Sequence, residues 1–383
     1  MSHAGRNSRR RGGPSSQRGA RTHGNRVGNP PVWSARRCGG RQPGGAGLLA
    51  GRGTVQLRGG KDVILRVENL VQEFPVGRNR VVHAVSDVSF DLRKGETLGI
   101  VGESGCGKST TARALVQLPP PTSGRVVLDP DSENEIDLTR LSGNDLRNVR
   151  PRLQMIFQDP ISSLNPRRRV KDIVSEGLEI WSDGDIGTEG RERVAEVLHA
   201  VGIDPAAAAS HRPHQFSGGQ CQRISIARAL TVNPEILICD EPVSALDVSV
   251  QAKILNLLED MKARYDLSLV FISHDLSVVR NVSDRVVVMY LGKLCEVGDA
   301  DRLYEAPAHP YTRALLASAP EPAQSVGVAD AVLGDEIPSP TDPPSGCRFR
   351  TRCPLAFDRC AVEEPQMRQL GEDHFVACHL PST

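Results

Sequence analysis

No stretch of this 383-residue chain approaches the ~18 consecutive apolar residues of a bilayer-crossing helix. The sequence therefore predicts a protein that is soluble or peripheral on a membrane. Residues 1–60 lack Asp, Glu and Lys altogether, yet hold twelve Arg. Against a net charge of +1 for the whole chain and +12 for that segment, the remainder carries −11. The segment also lacks an apolar pattern and is rich in Gly, Ser and Pro. It cannot bury enough surface to fold, and is expected to be a disordered tail. A basic arm can bind nucleic acid or acidic lipid. The plainer expectation is a solvated tail, or an upstream extension outside the working protein. A secretory signal is also missing, because "AGLLAG" is too short for its apolar core. Disulfides are accordingly not expected among the nine Cys.

The organised part begins near Asp62. "VILRVENLVQEF" and "VVHAVSDVSFDL" read as strands, rich in Val and Phe with partial alternation. "GETLGIVG", "LQMIF", "EILICDE", "LSLVFISHD" and "RVVVMYLGKLCEVG" each read as a strand, with helical segments between. Short apolar strands separated by helices imply a parallel sheet covered on both faces. Between Asp159 and Asn233 no strand pattern is present, so that interval reads as a helical insertion. At this length the chain has room for two or three domains.

"GESGCGKST" follows an apolar strand and precedes the helix-like "TTARALVQL". It comprises Gly102, Glu103, Ser104, Gly105, Cys106, Gly107, Lys108, Ser109 and Thr110, and fits the phosphate-loop pattern in its expected context. Its glycines let backbone N–H groups face a β-phosphate. Lys108 is placed to reach the β- and γ-phosphates, and the Ser109 hydroxyl to ligate Mg2+. In "EILICDE", the apolar run puts Asp240 at the end of a buried strand, where ligands bind in such sheets. Asp240 is expected to orient Mg2+ through water. Glu241, beside the γ-phosphate, is expected to polarise an attacking water. "FSGGQCQRISIARAL" supplies a second phosphate-suited helix start at Ser217, Gly218, Gly219 and Gln220, with Ile224, Ala227 and Leu230 on one face.

Five motifs stand in order: "GESGCGKST", "FQDP", "FSGGQCQR", "ICDEPVSALD" and "ISHD". Together they resemble the ATP-binding subunits of ABC transporters, over about 250 residues to near Leu316. The resemblance implies a RecA-like P-loop NTPase core with a parallel sheet and an N-terminal antiparallel β subdomain. It also implies a helical subdomain at about 160–233 and a small Cys-containing C-terminal extension. The expected divisions are a tail at 1–60, the ATPase domain at 61–316 and the extension at 317–383. In this family two ATPase domains dock head to tail. Ser217, Gly218, Gly219 and Gln220 would then hold the γ-phosphate on the partner's loop, in a dry interface that nucleotide glues together. By the same resemblance, Gln158 would contact Mg2+ and the attacking water, and sense membrane subunits. His274 would contact the γ-phosphate and hold Glu241 in place, and Asp247 would reach across the dimer. The adenine-stacking aromatic is Phe74 or, alternatively, His83.

"DPISSLNPRRRV", "CDEPVSALDVSVQ", "HPYTRALLASAP" and "PSPTDPPSGCRFRTRCP" are similar to the ATPases of oligopeptide and dipeptide importers, and within that group to the F-type member of the pair. That resemblance implies a second ATPase subunit, two membrane-spanning permease subunits and an extracytoplasmic substrate-binding protein. It places the chain on the cytoplasmic face of the cell membrane, with no nucleic acid expected. Nickel and glutathione importers share such ATPase sequences. An ABC ATPase without membrane subunits is a further reading, but it has no support from the C-terminal motifs. Cys347, Cys353, Cys360 and Cys378 follow C-x5-C-x6-C-x17-C, with no acidic residue near the first two. Four thiolates suit Zn2+ or an iron–sulfur cluster. The gaps exceed the tight knuckles of structural zinc, and the family resemblance implies a [4Fe–4S] centre. Arg348, Arg350 and Arg352 are expected to offset its charge, and His379 to stand nearby.

Overall fold

A computed structural model describes residues 62–77, 80–182, 184–318 and 336–381. The Arg-rich segment 1–60, expected as a tail, lies outside the described residues.

Two long strands, β1 (Val63–Val76) and β2 (Arg80–Arg93), open the fold. They are followed by β3 (Thr97–Val101), α1 (Lys108–Leu115), β4 (Ser123–Leu128) and β5 (Ile136–Asp137). β2, β1, β4 and β5 form one antiparallel sheet in that order, with bulges along the β1–β2 ladder. After α2 (Gly143–Val149) and β6 (Leu153–Ile156) come five helices. These are α3 (Pro160–Ser163), α4 (Val170–Trp181), α5 (Gly187–Ala200), α6 (Pro205–Ser210) and α7 (Gly218–Leu230). Asp159, Asp204 and Ser217 cap α3, α6 and α7 by accepting backbone N–H bonds, which satisfies donors that a helix start leaves over. The chain then alternates through β7 (Ile236–Asp240), α8 (Val248–Tyr265), β8 (Ser268–Ile272), α9 (Leu276–Val282) and β9 (Arg285–Tyr290).

Strands β9, β3, β8, β7 and β6 lie parallel and adjacent in that order. All residues of β3, β7, β8 and β9 are buried, which is why their sequences run apolar without alternating. Their side chains still alternate in direction. Leu98, Ile100, Ile238 and Ile272 pack towards the antiparallel sheet and α1. Leu237, Cys239, Phe271 and Val288 pack towards α4, α5, α7 and α8.

"RVVVMYLGKLCEVG", expected as one strand, is a hairpin of β9 and β10 (Lys293–Asp299). The chain reverses at Leu291 and Gly292, whose φ values of 43° and 77° are the pair of left-handed residues that a tight type I′ turn requires. β10 therefore runs against the parallel strands. The C-terminal part continues with α10 (Ala300–Glu305), α11 (Pro310–Ala317), α12 (Asp358–Val362), β11 (Arg368–Gly371) and β12 (His374–Val376). β12 pairs antiparallel with β10, and β11 with β12, so the Cys-bearing region extends the main sheet.

This edge is locked by Glu296 of β10, which is fully buried. Its carboxylate accepts from the N–H groups of Ala308 and His309 at 2.8 and 2.9 Å, and pairs with His374 Nε2 at 2.8 Å. Burial pushes its pKa up, but the bonds from His374, Ala308 and His309 prevail and hold it below the usual carboxylate value.

Candidate active site

The phosphate loop joins the end of β3 to the start of α1. Two of its glycines are sterically required. A Cβ on Gly102 would stand 2.1 Å from the Met289 carbonyl oxygen, and one on Gly107 would stand 2.3 Å from that of Ala84. Both also have positive φ, 152° and 109°. Lys108 is buried, and its Nζ donates to the carbonyl oxygens of Gly102 and Glu103 at 2.7 and 3.1 Å. Burial pushes the Cys106 thiol upward, which disfavours its thiolate.

Ser109 Oγ donates to Asp240 Oδ1 at 2.7 Å. The other carboxylate oxygen, Oδ2, is buried with no hydrogen-bond partner. Burial raises the Asp240 pKa, with the Ser109 bond acting against it. A buried carboxylate with one oxygen unspent, beside a hydroxyl, is an oxygen donor set that fits a hard cation such as Mg2+.

The strand order brings the remaining groups together. Gln158, Glu241 and His274 follow the C-terminal ends of β6, β7 and β8, which are neighbours in the sheet. Gln158 Nε2 donates to Glu241 Oε2 at 2.9 Å, and His274 Nδ1 lies 3.2 Å from Glu241 Oε1. Glu241 itself has φ 48°, a left-handed conformation that is costly for a non-glycine residue. Its N–H is held by the Ile272 carbonyl at 3.0 Å. The strain and the two flanking bonds give its carboxylate a fixed direction beside Asp240.

Ser217, Gly218, Gly219 and Gln220 form the N-terminus of α7. Ser217 and Gln220 make a reciprocal capping box, with Ser217 N–H to Gln220 Oε1 at 2.9 Å and Gln220 N–H to Ser217 Oγ at 3.3 Å. Both residues are exposed. Among the described residues, no hydrogen bond joins this group to the Gly102–Thr110 loop. Asp247 caps α8 without a side-chain bond and is exposed, and the following Val248 is 81% exposed. Phe74 is an exposed ring near the end of β1. His83 is committed elsewhere. Its Nδ1 lies 2.7 Å from Glu73 Oε1, and its N–H donates to the Pro340 carbonyl at 3.0 Å.

Cys347, Cys353, Cys360 and Cys378 all line one small cavity, with Pro310, Phe349, Leu355 and Leu380 among its walls. All four are free thiols. Burial pushes Cys347 up to about 11 and raises Cys353 and Cys378 as well. Among the described residues, no group of three or more His, Cys, Asp or Glu is arranged to hold a metal ion. Arg350, His379 and His309 line the same cavity, and the arginines also make hydrogen bonds of their own. Arg348 donates to the Leu291 carbonyl and to Ser86 Oγ, and Arg350 to the Ser345 carbonyl. His379 Nε2 lies 2.9 Å from the Glu363 carbonyl.

Sequence reasoning missed two residues at the phosphate loop. Tyr311 Oη accepts the Glu103 N–H at 2.9 Å, and Arg352 pairs with the Glu103 carboxylate at 2.8 Å. They lie 208 and 249 positions away along the chain, and no local pattern marks them.

The ABC transporter family matches residues 85–244, and the "Oligopeptide/dipeptide transporter, C-terminal region" family matches residues 295–360. The chain is 48% identical to the "Oligopeptide transport ATP-binding protein AppF" of Bacillus subtilis, over 84% of this chain and 98% of that protein. It is also 48% identical to the "Probable peptide ABC transporter ATP-binding protein y4tS" of Sinorhizobium fredii, over 83% and 90%. Among solved structures it resembles a dimeric post-hydrolysis state of the ATP-binding cassette MJ0796 bound to ADP and Pi. That match has a TM-score of 0.55 and 29% identity, and covers 62% of this chain and 99% of that one. With a phosphate loop, a paired Asp240–Glu241 and these relatives, the chain is an ATP hydrolase that belongs to the ABC transporter ATP-binding proteins of the oligopeptide/dipeptide transporter family.

Proposed function

We propose that this chain hydrolyses ATP to drive uptake of oligopeptides or dipeptides across the cytoplasmic membrane, from a peripheral position on its inner face. The observation that carries the catalytic part is the Glu241 carboxylate fixed between Gln158 and His274, beside Ser109 and Asp240. Glu241 takes the proton of the attacking water. His274 and Gln158 keep its carboxylate aimed, and Lys108 exchanges two loop carbonyls for the phosphates. Ser109, and Asp240 through water, would hold Mg2+, which would supply positive charge to the developing phosphate charge. The exposed Phe74 is the adenine platform, since the His83 ring is paired with Glu73.

The exposed Ser217–Gln220 helix start and Asp247 have no partner phosphate within the chain. Their use requires a second ATPase subunit docked head to tail, whose nucleotide they cover. Two permease subunits and an extracytoplasmic binding protein complete the importer, and the peptide is selected there. The peptide assignment rests on the C-terminal family match and on relatives whose names specify peptide transport. Reconstitution with the permeases in proteoliposomes tests it. Labelled peptide accumulates with ATP and not with Glu241→Gln; ATP-driven uptake of nickel or glutathione without peptide uptake would reassign the cargo.

The four thiols lining one small cavity, with Arg350 and His379 also in its wall, support a structural all-thiolate [4Fe–4S] centre in the C-terminal region. A single zinc ion held by the same four sulfurs is the alternative. In a cluster each thiolate would bind its own iron. Iron and sulfide assays on anaerobically purified protein test this reading. About four irons per chain are expected, lost in Cys353→Ser; one zinc and no iron would overturn it.

A further inference from the structure

Every polar group of Glu103, the second residue of the phosphate loop, is engaged. Its carboxylate receives both terminal nitrogens of Arg352, Nη1 to Oε2 at 2.8 Å and Nη2 to Oε1 at 3.0 Å. Its N–H donates to Tyr311 Oη at 2.9 Å, and its carbonyl accepts from Lys108 at 3.1 Å. The Arg352 side chain is only 7% exposed and lies over the Tyr290 ring, 5.7 Å from its centroid. Three residues earlier, Phe349 is wedged against Tyr290 and Tyr311, each ring 5.2 Å away. The guanidinium is thus presented to the loop by the seated C-terminal region, in the two-bond fork geometry that a carboxylate matches best.

The chemistry of the loop makes this pair consequential. The loop is built to receive a polyphosphate, and a bare carboxylate at its second position repels that ligand. We propose that Arg352 is a positioning residue for ATP: by neutralising and fixing Glu103 it keeps the phosphate loop receptive to anions, so nucleotide affinity depends on the seating of the C-terminal region. This inference rests on the reading of Gly102–Thr110 as the ATP loop. In this proposal Arg352 acts on nucleotide binding through Glu103.

The test is the steady-state ATPase of the assembled transporter, joined to Mg-ATP titration and thermal unfolding of the full-length chain. Arg352→Met leaves Glu103 uncompensated and raises KM about ten-fold with kcat within about two-fold, since the loss is of binding common to ground and transition states. Arg352→Lys keeps the charge without the fork and raises KM about three-fold. The decisive variant is Arg352→Met combined with Glu103→Gln, which removes both charges and returns KM to within about two-fold of the parent. An arginine that merely staples the tail would lower the unfolding temperature and leave the double variant no better than the single one. That result, or an unchanged KM in Arg352→Met, overturns the proposal. If Arg352→Met fails to fold, adding Glu103→Gln to Arg352→Lys reads the same coupling. A parent chain that binds no Mg-ATP in the titration would sink the ATP reading itself, a failure distinct from unchanged variants of a binding-competent parent.

Discussion

The centre of the main sheet and its antiparallel edge are built from the same kind of strand but finished differently. At the centre, β6, β7, β8 and β3 end side by side, and their ends leave bonding capacity unspent. Asp240 has a buried oxygen without a partner, Glu241 sits in a strained conformation, and Lys108 rests on two carbonyls. At the edge, the acid that β10 buries has its capacity filled, although the Nδ1 of its β12 partner His374 is buried without a hydrogen bond. Glu296 takes two backbone N–H bonds and the His374 ring, and Phe349 fills the space between Tyr290 and Tyr311. Unfilled groups in a rigid frame await a ligand; filled ones hold a shape. Removing a group at the centre should therefore cost chemistry at little cost in stability, and at the edge the reverse.

The sharpest way to break that contrast is Glu241→Gln. It keeps the side-chain volume and removes the proton acceptor, so ATPase turnover of the assembled transporter falls about 10²- to 10⁴-fold while Mg-ATP still binds. Hydrolysis at the parental rate would mean that the base lies elsewhere. Next in size is Phe349→Ala. It empties a site 2% exposed and lowers the stability of the docked C-terminal region by about 3–5 kcal/mol. Hydrogen exchange should show β11 and β12 opening while β3, β7 and β8 stay protected. Uniform loosening of both sets would show that edge and centre are one cooperative unit.

Acid should also act on the edge first. Burial depresses the His309 pKa from 6.5 to about 4. The neutral ring is the one that caps α11, Nδ1 accepting the Tyr311 N–H at 3.0 Å. A base with a lowered folded pKa loses stability as pH falls from its unfolded value towards its folded one. The docked edge should therefore weaken by up to about 3 kcal/mol between pH 6.5 and 4. Glu296 has the opposite chemistry and the same sign. Its lowered pKa stabilises above the ordinary carboxylate value of 4.5, and that contribution is lost as pH falls through the folded value. His309→Asn, which keeps a capping side chain but does not titrate, should flatten the upper part of a pH–stability profile; a profile identical to the parent's would clear His309 of the role. The smallest effect is expected from deleting residues 1–60. No motif lies there, and ATPase activity and transporter assembly should be unchanged. A truncated chain that fails to assemble would refute this.

What the sequence determined by itself was everything written in contiguous words. Glycines at 102 and 107, a lysine before Ser109 and an acidic pair closing an apolar run each carry their chemistry within a few residues. Backbone geometry at that range is local. The alternation of buried strands and capped helices was legible for the same reason. The β9–β10 hairpin was not, because Leu291 gives no turn signal even with Gly292 after it. The tertiary structure alone decided that Gln158, Glu241 and His274 meet. Parallel strand order is fixed by crossover packing rather than by any one segment. It likewise decided that β12 would join the sheet and that Arg352 would pair with Glu103. Such pairings are selected by which buried charges the completed core leaves facing one another, and no local stretch of chain contains that information.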